Sequence, residues 1–516
     1  MTRFETPRVS PVDAMGWHGT WLADREAVVC GDVRLTWAQF NARINTVANA
    51  LRRRGIRQGD AVAVLMQNSV EMATVLFGVL RAGAVLVPLS AMITTETVDM
   101  MLRDAGARAV FVAAPLRQLV EPLLGSDGPI MPGGHISVGF AGAGWRAYEA
   151  FLAPADTADP GTELRMDDPF VIMYSSGTTG TPKGIVHTHY SRLMLALRGN
   201  SFRFSNASRT ILTTAMYNNG TWVPMLSTFY QGGTVVIMPQ FDAGDFLALV
   251  ARERGTHVLM VPTQYIVTLA HPDFDTHDTS SLAVLISVGS PLRATTKAEI
   301  RRRFSADLFE LYGLTEGVGT LLLPQDMERK LGSVGRPYPG SDIRIIDDAG
   351  RELPWGETGE IIGYGSGMMR GYHNRPAQTA EVMWPDAHGR IYLKTGDIGR
   401  LDEDGFLYIL DRKKDMIISG GINIFATDIE TVIAGHPAVL DVTVIGVPHA
   451  KWGETPLALV IPKPGADATP EALAAWANAR LGKYQRVSGV VFREEFPRNA
   501  LGKVLKRELR EQFAQA

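Results

Sequence analysis

The chain has 516 residues, 46% hydrophobic and 20% charged, which is a globular composition too long for one ordinary core, so two or more domains are expected. A formal net charge of −3 gives no electrostatic basis for binding nucleic acid or an anionic membrane surface. The single cysteine, Cys30, excludes an internal disulfide and fits a reducing compartment; the first eight residues lack the apolar core of a secretory signal, so a cytoplasmic location is expected.

Residues 36–54 carry apolar side chains at helical spacing and end in Arg52-Arg53-Arg54 before Gly55. Cations in a last turn with glycine beyond predict a helix terminus rather than an anion site. Ala61-Val-Ala-Val-Leu65 predicts a buried strand. Residues 72–92 are apolar enough to suggest a membrane span, but Arg81, Gly83 and Pro88 interrupt them. They predict a buried helix ending near Arg81 and a short strand at 84–88. Phe170-Val-Ile-Met-Tyr174 predicts a strand, and strand-like runs recur at Val258-Leu-Met-Val261, Val284-Leu-Ile-Ser-Val288 and Leu308-Phe-Glu-Leu311. Arg301-Arg302-Arg303 reads as a solvated helix face. Alternating elements predict an α/β architecture with mostly parallel sheet, whose site loops follow the carboxyl ends of strands.

From Ile361 onward the texture changes to hairpins, with turn signals at Asp347-Asp-Ala-Gly350 and Asp402-Glu-Asp-Gly405. After Phe406-Leu-Tyr-Ile-Leu410 comes the charged link Asp411-Arg-Lys-Lys-Asp415, where a domain boundary is expected. This divides the chain into a large domain, 1–411, and a small α+β domain, 412–516. In the small domain Thr427 and Glu430 predict a capping box, Thr469-Pro470 a helix start, and Val442-Thr-Val-Ile445 and Leu457-Ala-Leu-Val-Ile461 strands.

The densest chemical signal is Tyr174-Ser-Ser-Gly-Thr-Thr-Gly-Thr-Pro-Lys-Gly184, which follows a strand and concentrates hydroxyls, glycines and one lysine. Glycines let backbone amides approach a phosphate, hydroxyls donate to it, and lysine adds a point charge. Pro182 before Lys183 departs from the Walker A pattern, and on composition alone a plain surface turn reads equally well.

This loop, Tyr312-Gly-Leu-Thr-Glu316, Thr395-Gly-Asp397, Asp411-Arg412 and Gly502-Lys503 follow one another in an order that resembles the adenylate-forming superfamily of acyl-CoA synthetases, aryl-CoA ligases, adenylation domains and luciferases. The resemblance spans about residues 35–509. Asp415-Met-Ile-Ile-Ser-Gly-Gly-Ile-Asn423 and Pro497-Arg-Asn-Ala-Leu-Gly-Lys-Val504 look most like bacterial fatty-acyl and feruloyl-type acid–CoA ligases. The resemblance implies a large domain of α/β layers with a β-rich subdomain, and a small mobile C-terminal domain. It implies ATP, Mg²⁺ and coenzyme A acting on a small carboxylic acid. The expected reaction is acyl-AMP formation with pyrophosphate release, then thioester formation. The alternative is an adenylating enzyme that loads an acyl carrier protein in trans. Oligomeric state stays open, a homo-oligomer included.

The resemblance gives Ser175, Ser176, Gly177, Thr178, Thr179 and Lys183 to the phosphates, Glu316 to Mg²⁺ and Thr315 to the α-phosphate. Tyr312 would stack on adenine beside Gly289 and Ser290, although alone it reads as core packing. Asp397 and Arg412 would hold the ribose, where spacing alone reads as a turn aspartate and a solvated arginine. Lys503 would stabilise the adenylation transition state, Lys414 would be the hinge, and Gly420 and Gly421 would line the pantetheine tunnel. In acetate-type relatives a tryptophan blocks the acyl pocket at the position matched by Gly313, so glycine implies a larger acid. Tyr217-Asn218 stands where many relatives carry an aromatic–histidine pair. Asn218, Asn219 and Trp222 form an amphipathic patch that suits an aromatic or oxygenated acid or, equally, buried polar packing.

Overall fold

The computed structural model describes residues 9–125, 127–175, 182–419, 422–498 and 502–513. The chain divides into two compact units: Met1–Met327 with Pro337–Ser341 and Tyr364–Met383, and Glu328–Arg336 with Asp342–Gly363 and Trp384–Ala516. The link at 411–415 lies inside the second unit.

Two sheets build the first unit. One runs through Gly371–Tyr372, Lys183–Thr188, Pro169–Ser175, Val85–Pro88, Ala61–Leu65, Ala109–Ala113, His135–Val138 and Arg146–Ala147. The other runs through Gly319–Leu322, Asp307–Gly313, Val284–Ser287, His257–Met260, Arg209–Leu212, Thr234–Ile237, Glu26–Cys30 and Val33–Thr36. Central pairings are parallel, as the alternation predicts. Ala61–Leu65 is buried along its whole length, which is why it reads as an unbroken apolar run. The pairs at the nucleotide end are antiparallel: Pro169–Ser175 with Lys183–Thr188, and Asp307–Gly313 with Gly319–Leu322.

Helix Trp37–Arg53 starts at a Thr36–Gln39 capping box and packs on helix Val70–Arg81. Trp37, Phe40, Phe77 and Phe229 meet edge-on between them and helix Asn219–Tyr230. The segment suspected of spanning a membrane is therefore the helix Val70–Arg81 and the strand Val85–Pro88, both buried. Among the described residues no helix is long and apolar enough to cross a membrane. Arg52, Arg53 and Arg54 close their helix as expected, and their guanidinium groups also donate to the carbonyls of Pro160, Leu152, Pro154, Ala150 and Phe151. Arg303 departs from the solvated reading of its run. It stacks on Phe274, 3.9 Å from the ring centre, and pairs with Asp275, so its apolar stem is used for packing.

In the second unit, Ser341–Ile346, Gly359–Gly365, Ile391–Leu401, Met383–Pro385 and Leu407–Arg412 form an antiparallel sheet of hairpins. Ile422–Ile424, Ile417–Ser419, Gly453–Pro462 and Val439–His449 form an antiparallel sheet that Gly489–Phe492 joins in parallel, backed by helices Ala426–Ala434, Pro470–Asn478 and Lys506–Phe513. Thr469 caps its helix as predicted. The capping box at Thr427 is not made. The helix begins at Ala426, whose amide donates to the Asp411 carboxylate at 2.7 Å, so the cap comes from the link rather than from the helix's own first turn. Glu430 is turned to Lys506 and to the Val444 amide.

Helices Trp37–Arg53 and Val70–Arg81 approach closely because Gly78 has no side chain: a Cβ there would lie 2.5 Å from the Val47 side chain. Gly78→Val should cost about 1–3 kcal/mol through overpacking, read as a lower midpoint in urea denaturation.

Candidate active site

The phosphate-loop candidate is a hairpin connection. Its flanks, Ser175 and Lys183, are cross-strand partners at the ends of Pro169–Ser175 and Lys183–Thr188, so pairing holds the mouth of the loop. Ser176, Gly177, Thr178 and Thr179 lie outside the described residues, as do Gly420 and Gly421. Gly184 allows close approach, since a Cβ there would lie 2.7 Å from Ile172.

Thr315 and Glu316 occupy the turn between Asp307–Gly313 and Gly319–Leu322, closed by Leu314 donating to the Val318 carbonyl and Gly317 to the Leu314 carbonyl, both at 3.0 Å. Gly317 has φ +104°, and a Cβ would fall 2.1 Å from the Gly367 carbonyl oxygen, so only glycine fits. Three contacts from distant segments pin the turn. His187 Nε2 bonds the Thr315 carbonyl at 2.7 Å, the Met369 amide donates to the Glu316 carbonyl at 2.8 Å, and the Tyr372 hydroxyl donates to Glu316 Oε1 at 3.0 Å. Burial holds the His187 ring well below the usual histidine range, so it stays neutral and can present Nε2–H to that carbonyl. Burial and the nearby Glu316 carboxylate push the Tyr372 hydroxyl up, keeping it a donor. Lys183 Nζ lies 5.1 Å from the centre of the Tyr372 ring, so one tyrosine bears on both Lys183 and Glu316.

On the adjacent strand end, Gly289 follows Val284–Ser287 at φ +98°. The Leu292 amide donates to Glu310 Oε1, and Glu310 pairs with Lys297 below the loop. Tyr312 stands across the ladder from Thr320. Gly313 ends its strand exposed, with the Val318 carbonyl 3.1 Å from where a Cβ would sit. Asn219 Oδ1 accepts from Arg192 Nη1 at 2.8 Å, while Asn218 heads helix Asn219–Tyr230 without capping it. Tyr217 packs partly buried against the large core. Trp222 is 0% exposed, packed on Phe77 and Phe170, with its indole N–H on the Met216 carbonyl; it is core, not pocket wall.

In the second unit Asp397 and Arg412 are cross-strand partners joined by an ion pair of 3.2 Å. Burial lowers the Lys503 ammonium, with Arg412 adding to the effect and Asp397 and Asp415 opposing it, to about 8. The lysine from near the C-terminus thus shares an electrostatic cluster with Asp397, Arg412, Lys414 and Asp415. Its loop is held by Arg498, which donates to the Gly502 carbonyl, and by Leu505 donating to the Pro497 carbonyl. Lys506 pairs with Glu430, and Arg510 bonds both Asp415 and the Lys414 carbonyl.

Among the described residues no cluster of three His, Cys, Asp or Glu side chains forms a ready metal cage. One carboxylate, Glu316, held by a hydroxyl, fits a hard cation that takes its other ligands from phosphate and water.

Residues 18–373 match the model of the AMP-binding enzyme family, and residues 428–503 match its C-terminal domain. The long-chain-fatty-acid–CoA ligase FadD13 of Mycobacterium tuberculosis is 36% identical over 94% of this chain and 94% of its own. A feruloyl-CoA synthase of an Amycolatopsis species is 34% identical over 94% and 96%. The ATP-bound crystal structure of MatB from Rhodopseudomonas palustris matches with a TM-score of 0.87 at 30% identity, covering 98% of this chain and 99% of that one. Fold and comparisons together define an adenylate-forming ligase. The chain belongs to the AMP-binding enzymes and carries their ATP-dependent acid–thiol ligase chemistry.

Sequence reasoning missed His187, Tyr372, Lys297, Glu310 and Arg192, whose partners lie 13 to 128 residues away in the chain. Tyr372→Phe removes one hydrogen bond to a carboxylate. It should raise KM for Mg²⁺·ATP by about tenfold, as read in pyrophosphate-release assays, with the thermal midpoint little changed.

The lowered Lys503 has a kinetic signature. With the role that the resemblance implies for the ammonium, kcat/KM for ATP, which reports the free enzyme, should fall as pH rises through about 8. Lys503→Arg should be slow but flat over the same range, since guanidinium does not titrate there.

Proposed function

We propose that this enzyme activates a medium- or long-chain fatty acid, or an aromatic acid of the hydroxycinnamic type, and delivers it to coenzyme A. The observation that carries the reading is the joining of Lys503 with Asp397 and Arg412 in one charge cluster. A lysine used to bring two anions together has to sit beside the group that orients the nucleotide. The absence of a side chain at Gly313, where the resemblance puts a pocket-blocking tryptophan in acetate-type relatives, and the similarity to fatty-acyl and feruloyl ligases support a bulky acid.

In the first half-reaction a carboxylate oxygen attacks the α-phosphorus, the new O–P bond forms, and the bond to the β-phosphate oxygen breaks as pyrophosphate leaves. Asp397 accepts from the ribose hydroxyls, Tyr312 and the Gly289–Ser290 backbone hold adenine, and Thr315 donates to the α-phosphate. Ser175, Lys183 and the loop between them hold the β- and γ-phosphates. Mg²⁺ at Glu316 would offset phosphate charge. The Lys503 ammonium stabilises charge as it develops in the transition state and is not consumed.

In the second half-reaction the CoA sulfur attacks the acyl carbonyl, giving up its proton, and AMP leaves with the bonding pair. Lys503 is not needed here, and rotation of 412–516 about Lys414 would withdraw it and bring Gly420 and Gly421 to the pantetheine. A cytoplasmic location fits ATP and CoA as co-substrates.

A panel of acids assayed for pyrophosphate release with and without CoA tests the reading. CoA-dependent thioester formation supports it, and acyl-AMP that passes only to a carrier protein moves the assignment to the carrier-loading alternative. Lys503→Ala should lower acyl-AMP formation by about 10²–10³-fold while thioester formation from supplied acyl-AMP persists. Equal loss of both steps would overturn the role given to Lys503.

A further inference from the structure

Arg192 lies on helix His189–Arg198, directly after the strand that begins at Lys183, and is only 2% exposed. Its Nη1 donates to Asn219 Oδ1 at 2.8 Å and its Nη2 reaches only the Met173 sulfur, at 3.9 Å. Its Nε has no partner. Among the described residues no carboxylate pairs with it, and the charged neighbour that perturbs it most, Arg198, is another cation. Burial, with Arg198 adding to it, pulls the guanidinium down to about 9.

The other arginine buried in this core is built differently. Arg81 is 3% exposed, but it donates to Asn45 Oδ1, Asn41 Oδ1 and the Val12 carbonyl and has Asp159 at 3.6 Å. Its Nε has no partner either, but both of its terminal nitrogens meet oxygen acceptors and a carboxylate stands near, whereas Arg192 Nη2 meets only a sulfur. A buried cation lacking such acceptors is costly unless something else supplies them.

Its surroundings point to what is missing. Asn218 Nδ2 is buried with no partner, and Asn218 makes no side-chain cap on the twelve-residue helix Asn219–Tyr230. The helix N-terminus adds a positive dipole end. A Cβ on Gly220 would meet only Val288, at 3.7 Å, so this end of the helix lies against the segment leading into Gly289–Ser290. Donors and positive charge converge there, beside the nucleotide loop.

We propose that Arg192, Asn218 and Asn219 form a carboxylate-binding subsite of the acid pocket. It takes either the reacting carboxylate or a second carboxylate at the far end of the acid. The inference rests on the ligase reading above and deepens it by naming what the polar patch recognises.

Two full-length variants test it. Arg192→Leu removes the cation. Asn219→Asp places a carboxylate on the guanidinium and fills the subsite from within, so a variant that fails to fold is not the only probe. KM for octanoate, for octanedioate and for ATP is measured by pyrophosphate release, with thermal midpoints alongside. The subsite predicts that each variant raises an acid KM by about tenfold or more while KM for ATP stays within twofold, and that Asn219→Asp does so without lowering the midpoint. Loss with both acids assigns the reacting carboxylate; loss confined to octanedioate assigns a distal one. Acid KM values unchanged in both variants, or ATP and acid KM values rising together, would overturn the proposal. A wild-type chain that releases no pyrophosphate with any acid would instead sink the ligase reading. Octanoate and octanedioate binding to wild type and Asn219→Asp by calorimetry would then still decide the subsite.

Discussion

The Thr315–Glu316 turn is tied to the neighbouring sheet by three hydrogen bonds, the shortest of them from the neutral His187 ring to the Thr315 carbonyl. His187 belongs to the strand that begins at Lys183, and Thr315 to the turn that carries Glu316. Without these ties the two elements would belong to separate layers, each with its own loop entropy to lose on binding. Gly371–Tyr372 extends the same tie, because it pairs with Val186 and Ile185 and sends its hydroxyl to Glu316. Ligand-binding turns are thereby made part of a sheet edge, and preorganisation comes from backbone ladders rather than from the turns themselves.

The second unit solves a different problem, which is to present Lys503 on a loop at the start of the last helix. Lys506 and Arg510, one turn apart on that helix, reach Glu430 and Asp415. Burial alone would lower Lys506, but Glu430 and Asp411 outweigh it and hold it up. Burial likewise pushes the Asp411 carboxyl up against the pull of Lys506. Asp411 also takes the first amide of helix Ala426–Ala434. The link is therefore joined by charge to the helix behind Lys503 and by a cap to the helix after it. A change in the backbone at Lys414 would have to break these contacts.

Much of this was legible in one dimension. The strands at 61–65, 170–174 and 284–288 and the helices near 36–54 and 469 announced themselves by apolar period, by capping residues and by turn residues, all of which act within a few residues. The chemical motifs were legible as motifs because each is contiguous. What failed was whatever is decided across sheets. Thr427 looked like a cap until Asp411, fifteen residues before Ala426, supplied the acceptor. Trp222 looked amphipathic beside two asparagines, yet in the first turn of its helix it packs on Phe77 and Phe170. Tyr372 and His187 carry no local signature, since their meaning comes from partners 56 and 128 residues away.

The same contrast explains where the first unit leaves polar groups unmet. Deep in the helical layer, Arg81 is surrounded by acceptors, and the cost of its burial is offset within the fold. At the head of helix Asn219–Tyr230, Arg192 Nε and Asn218 Nδ2 are buried and unpaired. A fold that joins anionic reactants must hold donors in place before the reactants arrive, because donors recruited at the moment of reaction would spend binding energy on reorganisation. Donors satisfied internally could not serve that purpose. Unpaired polar groups at the head of this helix, where Gly220 faces Val288, are the stability cost of a site prepared for negative charge.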